Sequence, residues 1–102
     1  MLARISRYEV GRNSISDAAE AFGEAAQGIE TLEGFAGGYV LVDYEDWRTM
    51  TVTLWDNHAA LEQSESVARG LRNSAAEAVG GSVLSVEKFD VARELTPRGD
   101  GA

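Results

Sequence analysis

Trp55 and His58 stand three residues apart in the segment Thr51-Val-Thr-Leu-Trp-Asp-Asn-His58. An indole supplies a flat apolar wall and one N–H donor, and a neutral imidazole can accept a proton. His58 falls in the first turn of an expected helix, where the positive end of the helix dipole disfavours imidazolium. Such a pair suits a pocket that holds an aromatic molecule and takes a proton from a phenol. Tyr8 and Tyr39, on two strands, add hydroxyls, and Asn57 adds a carboxamide. Each has a structural use as well. A strand-end tryptophan packs on a helix, a first-turn histidine faces solvent, strand tyrosines fill a sheet, and Asn57 is a natural N-cap. Arg4, Arg7 and Arg48 can clamp an anion or pair with Glu9, Glu87 or Asp90 across neighbouring strands.

The rest of the inventory narrows the chemistry. The chain has 102 residues with no cysteine, one histidine, 17 Asp and Glu against nine Lys and Arg, and a net charge of -8. The absence of cysteine removes disulfide frameworks, zinc ribbons, iron–sulfur clusters and thiol nucleophiles, and one histidine is too few for the usual metal cluster. No metal site is expected. Nor is nucleic acid an expected partner, because so acidic a surface repels phosphate backbones. No glycine-rich nucleotide motif is present. The first ten residues are interrupted by Arg4, Arg7 and Glu9, so no signal peptide is read there. No apolar run reaches the roughly 18 residues of a membrane span. The expectation is a cytoplasmic protein.

The elements that must position these side chains follow from periodicity. Leu2 to Val10 reads as a strand, and Gly11-Arg12-Asn13 as a loop. Ser14 and Asp17 have the spacing of a capping box, and Ile15, Ala19, Phe22, Ala26 and Ile29 recur at helical intervals. Gly34 is placed to end that helix. Phe35 to Tyr44 reads as a strand carrying Tyr39-Val-Leu-Val42, with Gly37-Gly38 marking a bulge or a close approach of a ligand or backbone. Thr49 to Trp55 alternates and forms the next strand. Asp56 or Asn57 caps a second helix through Ala60, Leu61, Ser64, Ala68, Leu71, Ala75 and Val79, which Gly80-Gly81 ends. Ser82 to Ala92 is the last strand.

One domain over 1–95 results, with 96–102 expected to be a disordered tail in which Arg98-Gly-Asp100 is a chance tripeptide. The order is β-α-β-β-α-β, an α+β ferredoxin-like domain with a four-stranded antiparallel sheet and both helices on one face. Two helices cover one face only, while the strands carry apolar side chains on both. A second copy is the simplest cover, and the monomer alternative has Thr51, Thr53, Ser85 and Glu87 facing water there.

Together with this order, Gly28-Ile-Glu-Thr-Leu-Glu-Gly-Phe-Ala-Gly-Gly-Tyr39 and Thr51-Val-Thr-Leu-Trp-Asp-Asn-His-Ala-Ala-Leu61 resemble the antibiotic biosynthesis monooxygenase (ABM) family of dimeric α+β barrels. The likeness runs over residues 2–92. It implies a homodimer with a pocket between helices and sheet in each subunit. A haem-degrading branch of that family uses an Asn on the first strand and a Trp and a His on the second helix. The first-strand position here is Ser6, and beyond Leu61 the second helix has neither Trp nor His. The branch that oxidises aromatic polyketides without a cofactor carries a tryptophan where this chain has Trp55. Its Asn four residues earlier is Thr51 here, and its Tyr six residues later is Leu61.

The resemblance therefore implies a cofactor-independent monooxygenase acting with O2 on a small hydrophobic or aromatic substrate. Trp55 and His58 are the candidate catalytic residues, and Tyr8, Tyr39, Thr51 and Asn57 the candidate binding residues. A non-catalytic ligand-binding or stress-response dimer is the alternative, and a lactone isomerase or cyclase on the same barrel a lesser one.

Overall fold

The computed structural model describes residues 1–99. Its elements are β1 (Leu2–Glu9), a 3-10 turn (Arg12–Ser14), α1 (Ile15–Glu30), β2 (Phe35–Asp43), β3 (Arg48–Trp55), α2 (His58–Ala78) and β4 (Ser82–Asp90). The sheet is antiparallel throughout, in the order β2-β3-β1-β4. This is the ferredoxin-like arrangement expected from the sequence. Of the tail, residues 96–98 belong to no helix or strand, and Asp100 to Ala102 lie outside the described residues.

Local chemistry accounts for the element ends. Asn57 caps α2, its side-chain oxygen accepting from the Ala60 N–H at 2.9 Å. The capping box expected at Ser14 does not form. The Ser14 side chain makes no capping bond, because the 3-10 turn closed by its N–H on Gly11 O at 2.9 Å leaves its backbone at φ -113°, ψ 1° and not in the extended conformation of an N-cap. Gly34 turns the chain at φ +81°, beside Ala60, where a Cβ would collide. The register of β2 on β3 shifts between Phe35 and Gly37, and Gly38 lies against the Val52 carbonyl. The glycine pair thus marks both a bulge and a close approach, made by the neighbouring strand.

Strand parity divides the sheet. Leu2, Arg4, Ser6 and Tyr8 of β1 are buried beneath the helices, and the register sets Trp55, Thr53, Thr51 and Thr49 of β3 opposite them. Thr51 and Thr53 accordingly face the helices, which corrects their expected place on the uncovered face. The opposite face carries Ile5, Met50, Val52 and Leu54, flanked by exposed Tyr39, Leu41, Leu84 and Phe89. Two core clusters lie on the helix side. Tyr8, Val10, Phe22 and Val79 form one, and Leu2, Ile29, Trp55 and Leu61 the other.

Candidate functional site

Between the two core clusters lies a cavity of about 50 Å³, roofed by α1 and α2 and floored by β1 and β3. Helical spacing supplies its walls, with Phe22, Ala25, Ala26 and Ile29 from α1 and Ala68 and Leu71 from α2. Period-two alternation supplies its floor, with Arg4, Ser6 and Tyr8 from β1 and Thr51 and Thr53 from β3, joined by Arg72 from α2. Apolar walls over a few convergent polar groups are the usual make-up of a small-molecule site. A void of this size takes a group of a few heavy atoms. Leu71, only partly buried, leans over Gly28.

The floor is charged. Arg4, 2% exposed, donates through Nη2 to Leu61 O at 2.8 Å and Ser64 Oγ at 3.0 Å, and lies 2.9 Å from Glu65 Oε2. Arg72, 8% exposed, donates to the other Glu65 oxygen at 2.9 Å. Two buried guanidinium groups thus share one carboxylate, and the exposed Arg69 lies 3.8 Å from it. The remaining nitrogens of Arg4, Nε and Nη1, are buried without a partner. Desolvation lowers the Arg4 pKa against the pull of Glu65, and the Arg72 charge adds to the lowering. Burial by itself would raise the Glu65 pKa. The Arg72 hydrogen bond and the fields of Arg4, Arg72 and Lys88 outweigh it and hold the carboxyl below its ordinary range.

Tyr8 reaches this floor from β1, its hydroxyl 3.2 Å from Thr51 Oγ1 and its ring 4.3 Å from that of Phe22. Desolvation raises its pKa despite opposing bonds to Thr51 and Ser6 and the Arg72 and Arg4 charges. The phenol therefore stays protonated at neutral pH and is available as a donor.

The structure brings together Tyr8 and Thr51 among the candidate residues. Trp55 lies next to them, fully buried, with Arg4 over its ring at 5.6 Å and Phe35 edge-on at 5.4 Å. Its indole N–H donates to Thr53 Oγ1 at 3.0 Å and so turns toward the sheet. The other three stand elsewhere. Tyr39 is 67% exposed on the opposite face, where the β2 bulge sets its parity. Asn57 is engaged as the α2 cap. His58 is exposed and lies 3.7 Å from the exposed Asp90 at the end of β4, outside the cavity lining.

Sequence reasoning offered Arg4 as an anion clamp or cross-strand partner but not as a buried group, placed Ser64 on the α2 stripe without a role in the site, and did not single out Glu65 and Arg72. A signal existed, because Glu65 and Arg72 fall on the same α2 stripe as Leu61, Ala68 and Ala75. Two charges seven residues apart on an apolar stripe must meet a counter-charge indoors. Of the other arginines, Arg7 pairs with Glu87 at 3.0 Å as one of the cross-strand options, while Arg48 turns to Asp43 at 2.7 Å. Among the described residues, no group of three or more His, Asp and Glu is placed to hold a metal ion. No described helix is long and apolar enough to cross a membrane.

No family model matches the chain, and no curated protein matches it. Solved structures do. A cofactor-independent oxygenase from Streptomyces nogalater, SnoaB, superposes with a TM-score of 0.73 at 17% identity, over 94% of this chain and 96% of that one. The heme-degrader MhuD from Mycobacterium tuberculosis, solved with two hemes in its active site, gives 0.73 at 20% identity, over 94% and 100%. A structure described as an antibiotic biosynthesis monooxygenase gives 0.65 at 16% identity, over 91% and 100%. The chain has the antibiotic biosynthesis monooxygenase fold. Of the side chains that ligate haem iron, its cavity is lined by a tyrosine, Tyr8, and by no histidine, cysteine or methionine.

Proposed function

We propose that this protein is a cytoplasmic, homodimeric monooxygenase of the ABM type that oxidises a small aromatic substrate with O2 and no cofactor. The observation that carries the reading is the cavity between the helices and the sheet. It has apolar walls, a protonated Tyr8 hydroxyl and a positively charged floor, in a fold shared with a cofactor-independent oxygenase. An electron-rich substrate supplies the reducing power itself. For an activated methylene the balance is CH2 + O2 → C=O + H2O, with all four electrons coming from the carbon. The protein's part is to receive the reacting oxygen group in the cavity, leave the ring outside its floor toward Phe22 and Leu71, and hold the developing oxyanion.

Tyr8 and Thr51 are the binding residues of this reading, with Tyr8 the donor to the oxyanion. Trp55 serves as a positioning residue that fixes Arg4 from beneath. No group lining the cavity is a competent base, since Glu65 is held ionised between two arginines and His58 stands outside. The substrate must therefore be acidic enough to ionise to water at the mouth.

The uncovered sheet face supports the dimer. Leu41, Met50 and Leu84, with Arg7, line a shallow hollow of about 330 Å³ that draws on all four strands. A second copy would bury these apolar groups around a shared barrel. Oxygen consumption with anthrone is the test of the activity. Stoichiometric uptake with formation of the quinone supports it. Binding of anthrone and other phenolic ligands without uptake favours the non-catalytic alternative, and conversion that proceeds under argon favours an isomerase.

A further inference from the structure

The Arg4–Glu65–Arg72 cluster is larger than a structural ion pair needs. One carboxylate balances one guanidinium, and the second charge is left over in a place with little water. Lys88, opposite Arg4 on β4, adds to the positive side, and Glu65 is the carboxylate that answers them. Arg4 keeps two buried N–H-bearing nitrogens without an acceptor, on a side chain that lines the cavity. A buried donor left unpaired costs about 1–3 kcal/mol, and more when it is charged. The missing acceptor at such a group is an ordered water, an ion or a ligand.

We propose that the cavity floor is a receptor for an anionic oxygen group, a carboxylate or an ionised phenol, carried by the aromatic ligand. Resting on the cavity reading above, this adds the charge of the ligand and the residues that select it. The anionic oxygens lie against Arg4 and Arg72 and receive a hydrogen bond from Tyr8, while the ring leaves the floor toward Phe22 and Leu71. The volume agrees, since about 50 Å³ accommodates such a group but not a ring. Thr51 and Thr53 offer hydroxyls to the same oxygens. The ligand's charge cancels the surplus of the cluster, leaving two guanidiniums facing two anions.

Two matched pairs of probes test this on the full-length protein. Benzoate and benzamide have nearly the same shape and differ in charge, as do 4-nitrophenolate at pH 8.5 and 4-nitroanisole. Binding is read by titration calorimetry and by the shift of the Trp55 indole N–H resonance, which lies beside Arg4. At least one anion is expected to bind ten times or more tightly than its neutral partner. Which anion does so identifies the carboxylate or the phenolate as the preferred group.

Glu65→Gln keeps an acceptor oxygen for the arginines while adding one net positive charge. It is expected to tighten the preferred anion at least threefold and leave its neutral partner unchanged. Arg72→Gln is expected to remove the discrimination. Equal affinity within each pair, or an anion preference that survives Arg72→Gln and ignores Glu65→Gln, overturns the proposal. Anion-selective binding without oxygen uptake by any substrate leaves this receptor standing and removes the oxygenase reading. Oxygen uptake with equal binding of anion and neutral probe does the reverse.

Discussion

Arg4 and Glu65 are separated by 61 positions in the chain, yet Arg4 Nη2 lies 2.9 Å from Glu65 Oε2, tying the central strand β1 to the middle of α2. Arg72 holds the carboxylate's other oxygen at the same distance. The two arginines are not equivalent to the carboxylate in what their removal costs. Glu65→Leu leaves two buried guanidiniums facing each other and is expected to destabilise the fold by about 3 kcal/mol, the low end for a broken buried pair because Glu65 is 22% exposed. Arg4→Met removes two unpartnered donors and leaves Glu65 still paired with Arg72. Its cost is expected to stay within about 1 kcal/mol. Urea unfolding of the two variants checks the order, and equal losses would show that the cluster acts as separate pairs.

The same carboxylate fixes an acid limit. Its pKa is lowered in the folded chain from an ordinary 4.5, so the unfolded chain binds its proton first as pH falls. The stability it contributes is fully present above pH 4.5 and is lost as pH drops through the folded value below it. Wild type is thus expected to lose stability more steeply than Glu65→Gln, whose amide does not titrate, as pH falls below 4.5. Thermal melts across that window, with the two profiles compared by slope, provide the measurement.

The elements were legible in the sequence, while the floor of the cavity was not. Alternation from Thr49 to Trp55 and the helical recurrence of Phe22, Ala26 and Ile29 are local, and they set the βαββαβ order directly. The Asn57 cap and the Gly34 turn are local too. The pairing of Arg4 with Glu65 depends on which strand lies beneath α2, and nothing within a few residues of either specifies that. Parity held a clue, because Thr51 and Thr53 share it with Trp55 and so belong on the helix side with it. Tyr39 escapes such reasoning, since the bulge between Phe35 and Gly37 resets the parity of β2. His58 shares neither problem. As the first residue of α2 its position is local, and its side chain is exposed as a first-turn residue's is expected to be.

The apolar sheet face gives a prediction about assembly. Leu41 is half exposed in the single chain and belongs to the hollow shared by all four strands. Leu41→Glu therefore costs the single chain little and would place a charge inside the shared barrel of a dimer. Light scattering behind size exclusion is expected to give twice the chain mass for wild type and the chain mass for Leu41→Glu, with unchanged far-UV circular dichroism. A wild-type monomer at 100 μM would overturn the assignment of a second copy to this face.

The sharpest separation lies between Tyr8 and His58. Tyr8→Phe keeps the ring packed on Phe22 and removes one hydroxyl, the donor assigned to the oxyanion. Loss of one such donor costs roughly 100-fold in kcat, so turnover of anthrone is expected to fall by that order while its KM moves less than threefold. His58 is exposed beside Asp90 and lines no part of the cavity. His58→Ala is expected to leave kcat within twofold and the pH–rate profile unchanged. Trp55→Phe gives an intermediate result, because the lost N–H was spent on Thr53 and the remaining ring still supports Arg4. A kcat near zero in Trp55→Phe with full activity in Tyr8→Phe would exchange their roles. It would put the oxyanion at the end of β3, near the indole, instead of over the Tyr8 hydroxyl.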